Sequence, residues 1–177
     1  MHRQEFMYKL YHYSSYLNYI IWIFEVNALM LVLNTPLILA AIGFRLSVAT
    51  LLLYVVCTLP VGPALYAGLS ALAHADTNNG VVKSFFRALK EKGLTILKWS
   101  AIPVSVIWLM LFNLSVTGKI GSMELLWWLN VVLLAVVAAF TVNVVIVLVS
   151  WPLSVKDATI LTLKLSVVKS FRYYMNL

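Results

Sequence analysis

Charged residues are scarce in this chain: only 11% of its 177 residues are Asp, Glu, Lys or Arg. A soluble domain carries about 25% charged residues, and no stretch here offers a polar outer face of adequate size. The shortage excludes a soluble helical protein. The sequence has instead 63% hydrophobic residues and a mean hydropathy of +0.95. We therefore predict an all-α, polytopic membrane protein that forms a single membrane domain over residues 1–177.

Cysteine is nearly absent, and catalytic constellations are missing. The single cysteine, Cys57, excludes an internal disulfide, and its apolar surroundings are typical of a small packing residue. The sequence contains no Cys/His cluster, no Ser/His/Asp set, no paired carboxylates and no glycine-rich phosphate loop. We expect no enzymatic activity, no metal and no cofactor.

Apolar runs of about 20 residues or more, the length that crosses a bilayer, recur along the chain. They predict four spans, near residues 18–43, 47–73, 94–116 and 124–150. The first run is longer than the apolar region of a signal peptide, about 7–15 residues, so we expect it to be the first span.

Two helices outside these spans are predicted at the membrane surface. The first, near residues 80–92, follows a run of N-cap residue types in "DTNN". The second, over residues 155–175, begins at the capping box "SVKD". Its Lys164, Lys169 and Arg172 argue against a further full span, so we expect an inner-surface helix that is partly buried.

Lysine and arginine are distributed unevenly between the two sides of these spans. Eleven of the thirteen lie on one side, and only Arg45 and Lys119 lie on the other. This asymmetry predicts that both termini are cytoplasmic. The net charge of +7 is explained by this asymmetry and by attraction to anionic headgroups, without a nucleic acid.

Five tyrosines lie in the N-terminal segment "MYKLYHYSSYLNY". Tyrosine favours the membrane interface, where its ring is buried and its hydroxyl stays hydrated. The segment therefore indicates an interfacial anchor. A nucleic-acid stacking platform is the remote alternative, because basic residues are too few there.

The predicted helix near 80–92 is amphipathic. Its apolar stripe consists of Val82, Phe85, Phe86 and Leu89. Such a helix is expected to lie flat at the inner headgroups. It is alternatively a contact for a cytoplasmic partner, with Phe85, Phe86, Arg87 and Leu89 as the candidate residues.

Polar residues inside the predicted spans suggest two further alternatives. Glu25, Asn27 and Asn34 lie in span one, where an unpaired charge is costly. In one interpretation Glu25 meets Lys98 or Arg87 near the inner interface. In the other, the three polar residues line a path for protons or solutes. Asparagines in spans three and four, namely Asn113, Asn130 and Asn143, are typical of hydrogen bonds between helices.

Helix-breaking and small residues mark the first three spans. The prolines are Pro36, Pro60, Pro63 and Pro103, and Gly62, Ala64 and Gly68 lie close to two of them. Prolines kink helices, and small residues four apart allow a second helix to approach closely. We interpret them as sites of kinking and helix packing. The alternative is a discontinuous helix at a transport site, although no convincing internal repeat accompanies it.

Three stretches carry a family resemblance: "NYIIWIFEVNALMLVLNTPLILA", "TLPVGPALYAGLSALAH" and "VVKSFFRALKEKGLTILKW". They resemble the YesL-like family of small bacterial membrane proteins, as does "WPLSVKDATILTLKLSV" near the C-terminus. The matching features are Asn27, the Pro60-x-Gly62-Pro63-Ala64 pattern, and the segment from Phe85 to Glu91. Family members usually have a fifth span, for which no sufficiently long apolar segment remains here.

The resemblance implies a multi-pass protein of the cytoplasmic membrane in a mainly Gram-positive bacterium. It also implies an association with carbohydrate uptake, often beside ABC importers, without an established activity. We therefore expect an auxiliary subunit that packs against the importer's permease through the small-residue face of span two. The alternative is a stand-alone small-solute transporter or channel, as a single chain or a homo-oligomer, that uses Glu25, Asn27 and the Pro60–Pro63 region.

Overall fold

The computed structural model describes the backbone of residues 2–74, 80–118 and 124–175, and the side chains of residues 17–74, 80–118 and 124–166. All regular secondary structure in these ranges is helical, which confirms the all-α prediction. The helices are α1 (His2–Leu33), α2 (Thr35–Gly43), α3 (Val48–Thr58), α4 (Val61–Ala73), α5 (Val81–Thr117), α6 (Glu124–Ser150) and α7 (Val155–Met175).

Three helical segments are long and apolar enough to cross a membrane. They are Val48–Ala73, which joins α3 and α4, then Val81–Thr117 and Glu124–Ser150. Leu17–Leu33 and Thr35–Gly43 form a fourth span if this pair, bent by 56°, is counted as one. The chain is thus a multi-pass integral membrane protein with three to four spans, while the predicted orientation stays a prediction.

Helix α5 differs from its prediction because it joins the expected surface helix and span three into one helix of 37 residues. A break was expected near Gly93. One glycine lowers helix stability by only about 1 kcal/mol, and Gly93 is buried within the unbroken helix. At about 1.5 Å per residue, α5 is about 55 Å long, which exceeds the hydrocarbon thickness of about 30 Å.

The packed core lies at one end of the bundle, where α4 ends, α5 begins and α6 ends. We call this the basic end because Lys83, Arg87, Lys90, Lys92 and Lys156 lie there. Its core includes Ala67 and Ala71 of α4, Phe85 and Ile96 of α5, Val144 and Leu148 of α6, and Ala158 of α7. Val26 of α1 belongs to the same cluster, so five helices share it.

Helix α7 begins at the predicted N-cap, Ser154, but the predicted capping box forms only in part, because the Asp157 carboxylate bonds the Ser154 hydroxyl and not its backbone N–H. The Ser154 hydroxyl bonds the Asp157 carboxylate at 2.6 Å, and the Asp157 backbone N–H donates to Ser154 Oγ at 3.2 Å. Two turns of α7, at Thr159 to Ser166, border the same groove as two turns of α6. Because only a short link joins the two helices, α7 runs back along α6. The expected partial burial is seen at Ala158 and Thr162, but the helix does not lie across the bundle end.

Candidate functional site

The prolines singled out in the sequence distort their helices to three different degrees, and the largest bend is in span one. The 56° bend falls at Asn34, and Pro36 follows in the first turn of α2. A proline is tolerated in a first helical turn because the missing N–H has no intrahelical partner there. The Asn34 Oδ1 atom is buried and has no hydrogen-bond partner among the described residues.

Span two is distorted at Pro60 but continues as a helix. Leu59 and Pro60 keep right-handed helical angles, with φ of −51° and −64°. The Val56 carbonyl, which Pro60 cannot reach with an N–H, accepts from the Leu59 N–H at 3.3 Å. Pro103 lies inside α5 without interrupting it. The disruption expected at the Pro60–Pro63 region is therefore mild, and the main bend belongs to span one.

The two distorted regions meet beside α5. Leu33, Pro60 and Pro63 border a cavity of about 270 Å³ whose other walls are Leu89, Gly93, Leu94 and Leu97. The cavity is almost wholly apolar. Its lining therefore offers packing surface and no set of polar side chains that could bind a solute.

Hydroxyl groups near the prolines do not bond to the carbonyls that the prolines leave free. Thr35, Thr58 and Ser105 donate instead to the carbonyls four residues earlier, at 3.2, 2.7 and 2.7 Å. Thr58 also accepts a hydrogen bond of 2.7 Å from Trp108 Nε1. It therefore connects α3 to α5.

A second aromatic side chain extends this connection. Tyr54 is buried, its ring lies 4.7 Å from that of Trp108, and its hydroxyl donates to the Phe44 carbonyl at 2.6 Å. The network holds α2, α3 and α5 together. Sequence reasoning missed this network, because Trp108 lies 50 residues after Thr58 and such a separation gives no spacing signal.

The small-residue face of span two lies inside the protein. Ala64, Ala67 and Ala71 have no exposed surface. A Cβ atom at Gly62 would lie 2.7 Å from Ser100 Cβ, and one at Gly68 would lie 2.9 Å from Met30 Sδ. The face therefore packs against α5 and α1, and the expectation that it docks a permease is wrong.

The residues of the proposed polar path are not brought together. Asn27 is exposed, while Glu25 and Asn34 are partly buried, and none of the three borders the cavity at Pro60 and Pro63. Within the described ranges, Glu25 forms no ion pair with Lys98 or Arg87. The structure therefore supports neither the suggested pairing nor a continuous path.

The candidate partner contact on α5 divides into inner and outer parts. Phe85 is fully buried beside Val81 and Ala88, while Phe86 is 53% exposed. Arg87 is exposed and Leu89 is partly buried. The inward face is thus rotated relative to the predicted stripe, and Phe85 is unavailable to a partner.

A second groove, of about 670 Å³, lies between α5, α6 and α7. Its walls are mainly apolar and include Trp99, Pro103, Phe140 and Leu163. The hydroxyls of Thr141 and Thr159 bond to carbonyls of their own helices. Asn143 also borders the groove; its side chain is exposed and makes no hydrogen bond within the described part of the chain.

Comparisons with known proteins identify no relative: no family model, curated protein or solved structure matches the chain. In the ranges the structure describes, no group of three or more His, Cys, Asp or Glu residues could hold a metal ion. The chain is therefore assigned only to the class of all-helical, multi-pass membrane proteins, and the YesL-like resemblance stays a prediction.

Proposed function

We propose that the protein is a non-enzymatic auxiliary membrane subunit that binds a transmembrane helix of a partner in the groove between α5, α6 and α7. The YesL-like resemblance suggests the partner: the permease of an ABC-type carbohydrate importer. The observation that carries this proposal is Asn143, an exposed amide in a mainly apolar groove whose threonine hydroxyls bond within their own helices.

An amide in hydrocarbon is costly unless another group completes its hydrogen bonds. Bonds between asparagine and a neighbouring helix contribute about 1 kcal/mol in membranes. Asn130, on the same helix, already donates to the Leu126 carbonyl at 2.8 Å. Asn143 thus has the capacity to bond a polar residue on a partner helix, and the groove walls supply apolar contact.

Matched asparagine variants test this role. The protein is co-expressed with candidate permease subunits and purified in mild detergent. We expect wild-type protein and Asn130→Leu to retain the permease, and Asn143→Leu to retain several-fold less, as loss of about 1 kcal/mol implies. Equal recovery with all three proteins, or recovery of the protein alone in every detergent, would contradict the proposal.

Cross-linking locates the contact independently. With Cys57 replaced by alanine, a cysteine at Val136 inside the groove should cross-link to a permease helix. A cysteine at Leu125 is the control, because Leu125 lies on α6, is 83% exposed and does not border the groove. Cross-linking at Leu125 but not at Val136 would place the partner elsewhere.

A second candidate function is a stand-alone transporter or channel. The observation favouring it is the buried Asn34 Oδ1 at the span-one bend, which has no hydrogen-bond partner among the described residues. Liposomes holding only this protein should then show solute flux that falls in Glu25→Gln and Asn34→Leu. Absence of flux for every sugar and ion tested would remove this candidate.

A further inference from the structure

A polar cavity of about 440 Å³ opens at the basic end, on a part of the molecule that the proposed function does not use. The last turns of α4, the first turns of α5 and the end of α6 form its walls. Ala88 and Leu148 lie at its base and are almost fully buried. The cavity is therefore a recess between helices and not a flat stretch of surface.

Positive groups predominate in the recess. Two permanent cations, Arg87 and Lys92, border it together with His74, against one acidic residue, Glu91. Among the described residues Arg87 forms no ion pair, and Lys92 Nζ donates only to the Leu153 carbonyl, at 3.4 Å. The two permanent cations thus form no ion pair with a described carboxylate and outnumber the one acidic residue at the recess, which therefore favours an anion.

His74 adds a directed polar group. Its Nδ1 lies 3.0 Å from the Ser70 carbonyl, and because a carbonyl can only accept, Nδ1 carries the proton in this contact. The Nε2 atom is left for a ligand. Glu91 offers acceptor oxygens on the α5 wall, so the recess can also bind a donor group next to the anion.

The location of the recess limits what can reach it. It lies where the span Val48–Ala73 ends and directly after the span Glu124–Ser150. Trp151 is at its rim and is 51% exposed, as is typical of tryptophan at the membrane interface. Phosphate groups are concentrated at this depth in lipid headgroups and are also present on soluble metabolites.

We propose that the recess binds a phosphate ester. Arg87 and Lys92 contact the phosphate oxygens, and Glu91 accepts a hydrogen bond from a hydroxyl or ammonium group of the same molecule. The planar guanidinium of arginine matches two phosphate oxygens at once, and Lys92 supplies a second charge held in place by its bond to Leu153. The phosphate belongs either to a membrane lipid or to a soluble ester.

Titration of the full-length protein in detergent tests the proposal, with dihexanoyl phosphatidylglycerol as the lipid probe. We expect Arg87→Gln combined with Lys92→Gln to weaken binding about tenfold or more, as loss of charge-assisted hydrogen bonds implies. The matched control combines Lys83→Gln with Lys90→Gln, which removes two charges from exposed positions of α5 outside the recess. The control should change affinity by less than about twofold.

Two further probes, glycerol phosphate and inorganic phosphate, distinguish the sources. Competition by glycerol phosphate, but not by inorganic phosphate, at the affinity of the lipid indicates a soluble ester, whereas binding of the lipid alone indicates a headgroup. Equally strong competition by inorganic phosphate would contradict the contact between Glu91 and the rest of the ester. Equal weakening by the two double variants, or no binding of any probe, would overturn the proposal.

Folding of the variants is checked separately. Arg87→Gln alone removes an exposed side chain that forms no ion pair among the described residues, and it should weaken binding while the gel-filtration profile is unchanged. Lys92→Arg should retain binding. Because Asn143 lies outside the recess, Asn143→Leu should leave phosphate affinity unchanged, so failure of the helix-docking proposal does not affect this test.

Discussion

The basic end and the opposite end of the bundle are packed to different degrees, and α6 shows the contrast within one helix. Its buried residues all lie in its last seven positions, whereas none of residues 124–143 is buried. The buried residues of α6 are Val144, Val145, Val147 and Leu148. The same helix therefore belongs to a protein core at one end and presents its side chains outward at the other.

Hydrophobicity does not produce this difference, because α6 is strongly apolar along its whole length. Lipid tails are as apolar as leucine, so close helix contact in a membrane depends on small residues and polar bonds. Gly62, Ala64, Ala67 and Gly68 lie on α4, beside the packed end. The small residues of α4 thus allow the close helix contact at the packed end.

The largest contrast is expected between two adjacent phenylalanines on α5. Phe85 is fully buried in the core, and Phe86 is 53% exposed. Phe85→Ala leaves a cavity and should lower the free energy of unfolding by about 3–5 kcal/mol, whereas Phe86→Ala should change it by about 0.5 kcal/mol or less. Denaturant titration of the detergent-solubilised protein measures both. Similar losses would show that the basic end is not the packed core.

Overpacking at a glycine is expected to have the next largest effect. A Cβ at Gly62 would meet the Ser100 Cβ at 2.7 Å, whereas one at Gly43 has no neighbour within 4 Å. Gly62→Val should therefore destabilise the protein by about 1–3 kcal/mol, measured by the same titration. The control is Gly43→Val. If it costs as much as Gly62→Val, the effect comes from lost backbone freedom and not from helix contact.

Much of the fold was predictable from the sequence, because apolar length and capping chemistry are local signals. The N-cap at Ser154 formed as predicted, without the second bond of the predicted capping box. The bend near Pro36 was also indicated, although its size relative to the distortion at Pro60 was not. A proline removes one hydrogen bond wherever it occurs, but the surrounding packing decides whether the helix bends.

The candidate site was less predictable, because it depends on which face of each helix turns inward. The stripe of Val82, Phe85 and Phe86 was expected to act as one surface, yet only Phe85 is buried. The groove at Asn143 requires α7 to run along α6, and no local pattern encodes that direction. Glu25 likewise stays apart from the cations suggested as its partners.

Away from the basic end, the link between α3 and α5 includes a tertiary hydrogen bond that can be removed with little change of shape. Thr58→Val deletes the acceptor of the 2.7 Å bond from Trp108 Nε1. We expect a loss of about 1 kcal/mol in stability, the usual size of such bonds in membranes. Thr141→Val is the control, because that hydroxyl bonds only within its own helix, to Val137. An equal loss from both would assign the effect to local helix bonding and not to the link between α3 and α5.

The smallest effect is expected where α6 faces outward. Leu129 is 53% exposed and Leu148 only 2% exposed, although both lie on α6. In detergent, Leu129→Ala should change the free energy of unfolding by about 0.5 kcal/mol or less, whereas Leu148→Ala should cost about 2–5 kcal/mol because it creates a cavity.

Denaturant titration at two protein concentrations makes the comparison sharper. A large, concentration-dependent loss in Leu129→Ala would mean that a second copy of the chain covers this surface, since a contact between copies weakens on dilution. If Leu129→Ala lowers the free energy of unfolding at neither concentration, lipid or a partner other than a second copy covers this surface.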